Sequence, residues 1–247
     1  MTRSGRLCAL LGLIGCIGAA MGGSVATAGT VRLNGEAVAY NDGERLASFV
    51  PRLLALPNAY WPASRVRNEQ SSLAARVLKA RVLAQLQVID AGLPAASELR
   101  HELEQFEPFG GLDQTLDPDV IRLHERNNPR LSGDYDLLVP ARPDHIRIIG
   151  MTRQDGREPI ALAPVSARRI DAGKYLDGAD REWLYLIDPE GRVRRTGVAA
   201  YNARELDVLP GSIVFVPIHA RYLDESTRAL NDDIVKLLAG GEALAHE

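Results

Sequence analysis

The chain has almost no cysteine. It holds two, Cys8 and Cys16, in 247 residues, and both lie in an N-terminal stretch that reads as an export signal, so neither a disulfide framework nor thiolate chemistry is available to the rest. Aromatic residues make up 5% of the chain and only two are tryptophan. The charge is nearly balanced, at −3 overall, which gives no electrostatic footprint for a nucleic-acid partner. Beyond residue 28 no apolar run approaches the ~18 residues that mark a membrane-spanning helix. Catalytic signatures are also missing: there is no His-Glu-x-x-His, no Gly-x-Ser-x-Gly, no phosphate-binding glycine loop with its lysine, and no Cys-x-x-Cys. The histidines His101, His124, His145, His219 and His246 are scattered, without the i, i+4 pair of a helical metal site. These absences point away from an enzyme, a metal centre and a bound cofactor.

What is present begins with the export signal. Arg3 and Arg6 precede an apolar run from Leu7 to Met21, which dissolves into small residues ending at Ala26-Thr27-Ala28, an A-x-A cleavage pattern. Cutting after Ala28 removes two arginines and no acid, leaving 27 of the 29 basic residues against 32 acidic ones. A second reading uses Leu13-Ile14-Gly15-Cys16 as a lipobox, making Cys16 a lipidated N-terminus and the chain an outer-membrane lipoprotein. Against it, the apolar run continues past Cys16. Either reading carries the chain out of the cytoplasm, with the periplasm as the expected compartment.

About 219 residues then remain, enough for one large or two small domains. Asn34-Gly35 after Val31-Arg32-Leu33 predicts a hairpin, because Asn-Gly tolerates positive φ. Residues 46–56 have helical apolar spacing with Pro51 near a start or bend. From Ser71, capped by Ser71 or Ser72, a helix is predicted with Leu73, Val77, Ala80, Ala84 and Val88 on its apolar face and Leu78, Val82 and Ile89 broadening it, stopped by Gly92 and Pro94. A second helix through Leu99, Leu103 and Phe106 completes a helical hairpin over about residues 70–107. The period then turns strand-like: Val120–Leu123, Asp136–Pro140, His145–Gly150 and Trp183–Ile187, with Asp188-Pro189-Glu190-Gly191 as a turn into a return strand, and Ile213–Val216 last. A final amphipathic helix is expected from about Leu223 to Leu238, covering its own sheet or presenting its apolar face to a partner.

Taken together, Ile146–Gly150, the Tyr175-Leu176-Asp177-Gly178-Ala179 segment, the hairpin through Asp188–Val193 and Leu209–Pro217 resemble a soluble-ligand-binding β-grasp (SLBB-like) domain, the module repeated in outer-membrane polysaccharide exporters. Asn127-Asn128-Pro129, Gly133-Asp134 and Leu138-Val139-Pro140 resemble another such unit, interrupted by the helical hairpin. The whole resembles the capsule-biosynthesis GfcC family of periplasmic proteins over roughly residues 30–240, although Ser212 follows Gly211 where the family commonly has Asp. The resemblance implies an α+β fold divided into a signal peptide (1–28), a β-grasp domain with the helical insert (29–144), a second β-grasp domain (145–220) and a C-terminal helix with tail (221–247). It implies a non-enzymatic accessory protein for capsule or exopolysaccharide biosynthesis or export, whose partners are the polysaccharide or the export machinery. A glycan-active enzyme and a pure protein–protein interaction module are the alternatives.

Candidate ligand contacts follow from chemistry. Guanidinium forks suit carboxylates and sugar hydroxyls, and Arg122, Arg147, Arg168, Arg169, Arg192, Arg194 and Arg195 gather in the β region. Arg122 is singled out, on an expected strand that could face a pocket between sheet and hairpin. Tyr60 and Trp61, ahead of Pro62 in a loop, are the expected exposed pair for stacking on sugar rings, while one of Trp183 and Tyr185 belongs to the core. The carboxylate pairs Asp117/Asp119 and Asp134/Asp136 have the composition of an acid–base couple, but each sits where Asp is a routine turn former.

Overall fold

A computed structural model describes residues 27–153, 157–159, 165–166, 174–203, 205–206 and 208–242. The predicted signal segment up to residue 26, with Cys8 and Cys16, and Arg168, Arg169 and His246 lie outside them. The fold is α+β, with two mixed sheets and their helices.

The first sheet joins β1 (Thr27–Leu33), β2 (Glu36–Asn41), β3 (Arg65–Asn68) and β4 (Tyr135–Leu138) in the order β2-β1-β4-β3. The expected Asn-Gly hairpin is there: Asn34 and Gly35 adopt φ of 47° and 90° between antiparallel β1 and β2. β1 lies parallel to β4, and β4 antiparallel to β3. Helix α1 (Val50–Leu54), with Pro51 in its first turn, follows a 3-10 turn over Leu46–Phe49. Together they cover this sheet's core of Val31, Tyr40, Phe49, Leu53, Leu137 and neighbours.

The second sheet joins β5 (His145–Gly150), β6 (Arg157–Pro159), β8 (Trp183–Ile187), β9 (Val193–Gly197) and β11 (Ile213–Val216) in the order β6-β5-β11-β8-β9. Here too the first hairpin's leading strand runs parallel to the last strand, β5 against β11. A small ribbon pairs β7 (Val165–Ser166) with β10 (Glu205–Leu206).

Between β3 and β4 the chain makes α2 (Glu69–Asp90) and α3 (Ala96–Gln105). Asn68 caps α2: its side-chain oxygen accepts from the Ser71 amide at 2.9 Å, and the Ser71 hydroxyl accepts from the Asn68 amide at 3.1 Å. The helix therefore starts two residues before the position expected. These helices come from inside the first sheet's sequence, yet their buried side chains Val82, Leu86, Ile89, Leu99, Leu103 and Phe106 share one core with Ile149, Leu184 and Phe215 of the second sheet. The face expected to be buried on α2 is displaced: its centre is exposed, and Val82 and Ile89, expected at its margin, are buried. Leu73, Val77 and Val88 are exposed, and the buried face is carried by Val82, Leu86 and Ile89. Both sides of this helix are apolar, and tertiary contacts choose between them.

Two further expectations are corrected. Residues 118–123 form helix α4 (Pro118–Leu123) instead of a strand, because Asp117 accepts from the Asp119 and Val120 amides and Pro118 occupies the first turn. The last helix, α5 (Leu230–Ala239), starts about seven residues later than expected. Asp224 accepts from the Ser226 and Thr227 amides and closes a turn that delays it. Its apolar face, Leu230, Ile234, Leu237 and Leu238, is buried in the second core, so α5 covers its own fold. Among the described residues no helix is long and apolar enough to cross a membrane.

Candidate functional site

Besides the packing of α2 and α3 on the second sheet, one short segment bonds the first sheet to the end of the chain's last helix. The Phe109 amide donates to Gly241 O at 2.9 Å, the Gly111 amide to Gly240 O at 2.8 Å, and the Leu112 amide to Val66 O at 2.7 Å. Residues 109–112 thus bond to both β3 and the end of α5. Arg65, the first residue of β3, runs across this seam. A Cβ on Gly111 would stand 2.7 Å from its Cδ, and one on Gly241 would stand 3.1 Å from its Nε. The side chain fits only because glycine lines its path.

A cleft opens on either side of Arg65. The polar lobe has a volume of about 620 Å3 and is lined by Trp61, Gln114, Thr115, Asp117, Arg126 and Asn127. The apolar lobe, about 700 Å3, lies between α2 and α5 against Ala74, Val77, Leu78, Leu237 and Ala239. Arg65, Leu112, Asp113, Glu190 and Arg192 border both. These sizes fall within the range of small-molecule sites.

Several lining groups are held by the fold. The Gln114 side-chain Nε2 donates to Asn127 O at 2.9 Å, which fixes the far wall. Asp117 caps α4, and Glu190 pairs with Arg192 in the β8–β9 turn. Arg65 is different. Among the described residues its guanidinium donates to Ser64 O at 2.9 Å and has no carboxylate within ion-pair reach. Burial pushes its pKa down from the usual arginine range, with Asp188 and Glu190 opposing the shift from a distance.

The residues singled out from sequence fall in different places. Trp61 lines the polar lobe. Tyr60 is buried, contrary to the exposed pair expected; its amide donates to Pro140 O at 2.9 Å, and the Arg142 guanidinium lies 5.8 Å from its ring centre. Arg122 sits on α4, not on a strand, with about half its side chain exposed, 4.0 Å from Asp119 and outside the lining of either lobe. Of the other arginines, Arg192 borders both lobes, Arg147 pairs with Glu242, and Arg195 lies 4.5 Å over the Trp183 ring. Three of the four paired carboxylates have structural roles. Asp117 caps a helix, Asp134 accepts from the Thr30 amide at 2.8 Å, and Asp136 holds Arg67 at 2.8 Å. Among the described residues no cluster of three His, Cys, Asp or Glu side chains could hold a metal ion.

Sequence reasoning missed Arg65 and the amide-bearing wall at 114–127. The one local signal was the apolar Val66 between two arginines, too short a period to announce β3.

A second charged group lies away from the cleft. Glu102 of α3 accepts from the Gly150 amide at 3.1 Å, and Arg147 pairs with Glu242. Burial raises both carboxyls above their ordinary values, against the pull of Arg147.

Comparison with known proteins decides the family. The model of the capsule biosynthesis GfcC N-terminal region matches residues 25–142, and that of the GfcC C-terminal region matches residues 167–241. The chain belongs to the capsule biosynthesis GfcC family. It is also similar to "Uncharacterized protein YjbG" of Escherichia coli (strain K12), with 32% identity over 226 residues, covering 87% of this chain and 91% of that protein. The two GfcC regions leave residues 143–166 between them, with the first sheet and α2–α3 in the N-terminal one and most of the second sheet with α5 in the C-terminal one. Membership of the GfcC family associates the chain with capsule biosynthesis.

Proposed function

We propose that this GfcC-family chain is exported to the periplasm and serves capsule or exopolysaccharide production as a non-enzymatic accessory protein that holds glycan in the polar lobe of the Arg65 cleft. The observation that carries the reading is the lobe's lining. One indole, two amide side chains, a threonine hydroxyl and guanidinium groups face a cleft of about 620 Å3, a set that matches the apolar faces and hydroxyl rims of sugar rings. A non-catalytic role is supported by the employment of the nearby acids. Of the three acids that line the polar lobe, Asp117 and Glu190 are tied into a helix cap and an ion pair and Asp113 is left, whereas a glycosidase needs two carboxylates free to exchange protons.

Each half is a β-grasp unit in this reading. The support is the shared sheet plan, in which a leading hairpin's first strand lies parallel to the last strand of the unit, β1 with β4 and β5 with β11. The helical pair then counts as an insertion into the first unit, and the export signal at residues 1–28 delivers the chain to the glycan.

Calorimetric titration of the chain from residue 29 with oligosaccharides of the host's own exopolysaccharide tests the proposal. Binding is expected, and Trp61→Ala should weaken it about tenfold, since loss of a stacked ring costs on the order of 1 kcal/mol. Shortened oligosaccharides after long incubation would identify an enzyme instead. No heat and no chain shortening would leave the export machinery as the partner.

A further inference from the structure

A free sugar in the polar lobe leaves the other half of the cleft unexplained. The apolar lobe is walled by α2 and α5 and reaches Val77. That residue is 62% exposed and belongs to the outward apolar side of α2 with Leu73 and Val88. The lobe therefore opens along a hydrocarbon surface that the fold does not cover. Its charged border is positive on balance: Arg65, Arg81, Arg192 and Lys236 against Asp113 and Glu190. Arg81 is held by Asp233 at 2.7 Å and Arg192 by Glu190. Among the described residues Arg65 and Lys236 have no ion-pair partner.

Arg65 is the junction. It borders both lobes, is half-buried, and gives one of its five donors to the Ser64 carbonyl. A guanidinium that borders both lobes, has no carboxylate partner among the described residues and keeps donors to spare is suited to receive an anion. The place where that anion would sit lies between a sugar-like lobe and a hydrocarbon-like lobe.

We propose that the cleft takes a saccharide carried on a hydrocarbon chain through a phosphate, with the sugar in the polar lobe, the phosphate on Arg65 and the chain between α2 and α5. This rests on the glycan reading and deepens it by naming the ligand's class. One molecule of this kind answers three features at once: the amide-and-indole wall, the cation without an ion-pair partner between the lobes and the open apolar lobe.

The test uses three soluble probes below their micelle-forming concentrations: glucose 1-phosphate, decyl phosphate and the diester decyl glucosyl phosphate. The diester should bind at least a hundredfold more tightly than glucose 1-phosphate, because each pair of methylenes withdrawn from water contributes about tenfold. Val77→Asp, at an exposed position that tolerates charge, should remove the gain from the chain. Leu123→Asp, at a more exposed position outside the lining of either lobe, should keep it. Arg65→Gln should bring decyl phosphate to the affinity of decanol; if that variant does not fold, the phosphorus resonance of decyl phosphate, expected to shift on the parent protein and less on Lys236→Gln, reads the same contact. Equal affinity for diester and glucose 1-phosphate, or an undiminished gain in Val77→Asp, overturns the proposal. If the host oligosaccharides bind while the chain adds nothing, the glycan reading stands and this inference falls; if neither binds, both fall.

Discussion

The carbonyl oxygen of Ala239 lies 2.7 Å from the point where a Cβ on Gly191 would stand, so the tip of the β8–β9 turn meets the last turn of α5 backbone to backbone. Gly191 also holds φ at 86°, a value that other residues reach only with strain. This contact forms one wall of the cleft and keeps Arg192 beside Arg65.

Gly191→Ala therefore meets both a clash and a strained backbone. Gly35 separates the two, since its φ is 90° but nothing lies within 4 Å of an added Cβ. In urea unfolding Gly35→Ala should cost about 1 kcal/mol and Gly191→Ala about 2–4 kcal/mol. Equal costs would mean that the α5 contact gives way without penalty.

The two faces of α2 make a second pair. Leu86 is fully buried and Leu73 is 54% exposed. Leu86→Ala should destabilise by about 2–5 kcal/mol through lost burial and a cavity, and Leu73→Ala should stay within about 0.5 kcal/mol. The reverse order would put the core on the face that the apolar spacing suggests.

Glu102 sets a pH dependence. Burial raises its pKa in the folded chain above the ordinary value of 4.5, while the Gly150 amide and Arg147 pull it down by less. The folded state holds the proton more tightly than the unfolded chain, so the contribution of this group is complete below the ordinary glutamate pKa. It is lost as the pH rises through the raised folded value. Glu102→Gln keeps an oxygen for the Gly150 amide and cannot ionise. Unfolding free energies measured at about pH 4 and about pH 7 should show the variant gaining on the parent at the higher pH; a difference that does not change with pH would mean that Glu102 titrates alike in both states.

Arg122 and Trp61 are the sequence candidates that the fold separates. Trp61 faces the polar lobe, whereas Arg122 lies exposed on α4 beside Asp119. Glycan affinity should drop in Trp61→Ala and stay within twofold of the parent in Arg122→Ala. Loss in the arginine variant would move the binding surface out of the cleft.

What could be read from sequence was local. Asn34-Gly35 and Asp188-Pro189-Glu190-Gly191 carry their backbone angles in their residue types, and β5 and β8 carry dense β-branched or aromatic runs. What could not be read depends on distant neighbours. Val120-Ile121 has strand-like composition, but the Asp117 cap and Pro118 commit it to α4. The inward face of α2 is decided by a sheet made more than fifty residues later. The cleft draws on positions 61–65, 112–127 and 190–192, which no spacing rule connects, and its junction residue lies on a strand four residues long.

The order in which the chain is made then acquires a consequence. Segments 69–90 and 96–105 emerge well before 145–216, the strands that their apolar side chains pack against. During that interval Val82, Leu86, Leu99 and Leu103 have each other but not the sheet that completes their burial, and the chain is open to mispairing with other newly made chains. Cutting the gene between the two sheets would make this permanent: the first piece would keep helices without their sheet, and the second a sheet stripped of half its cover.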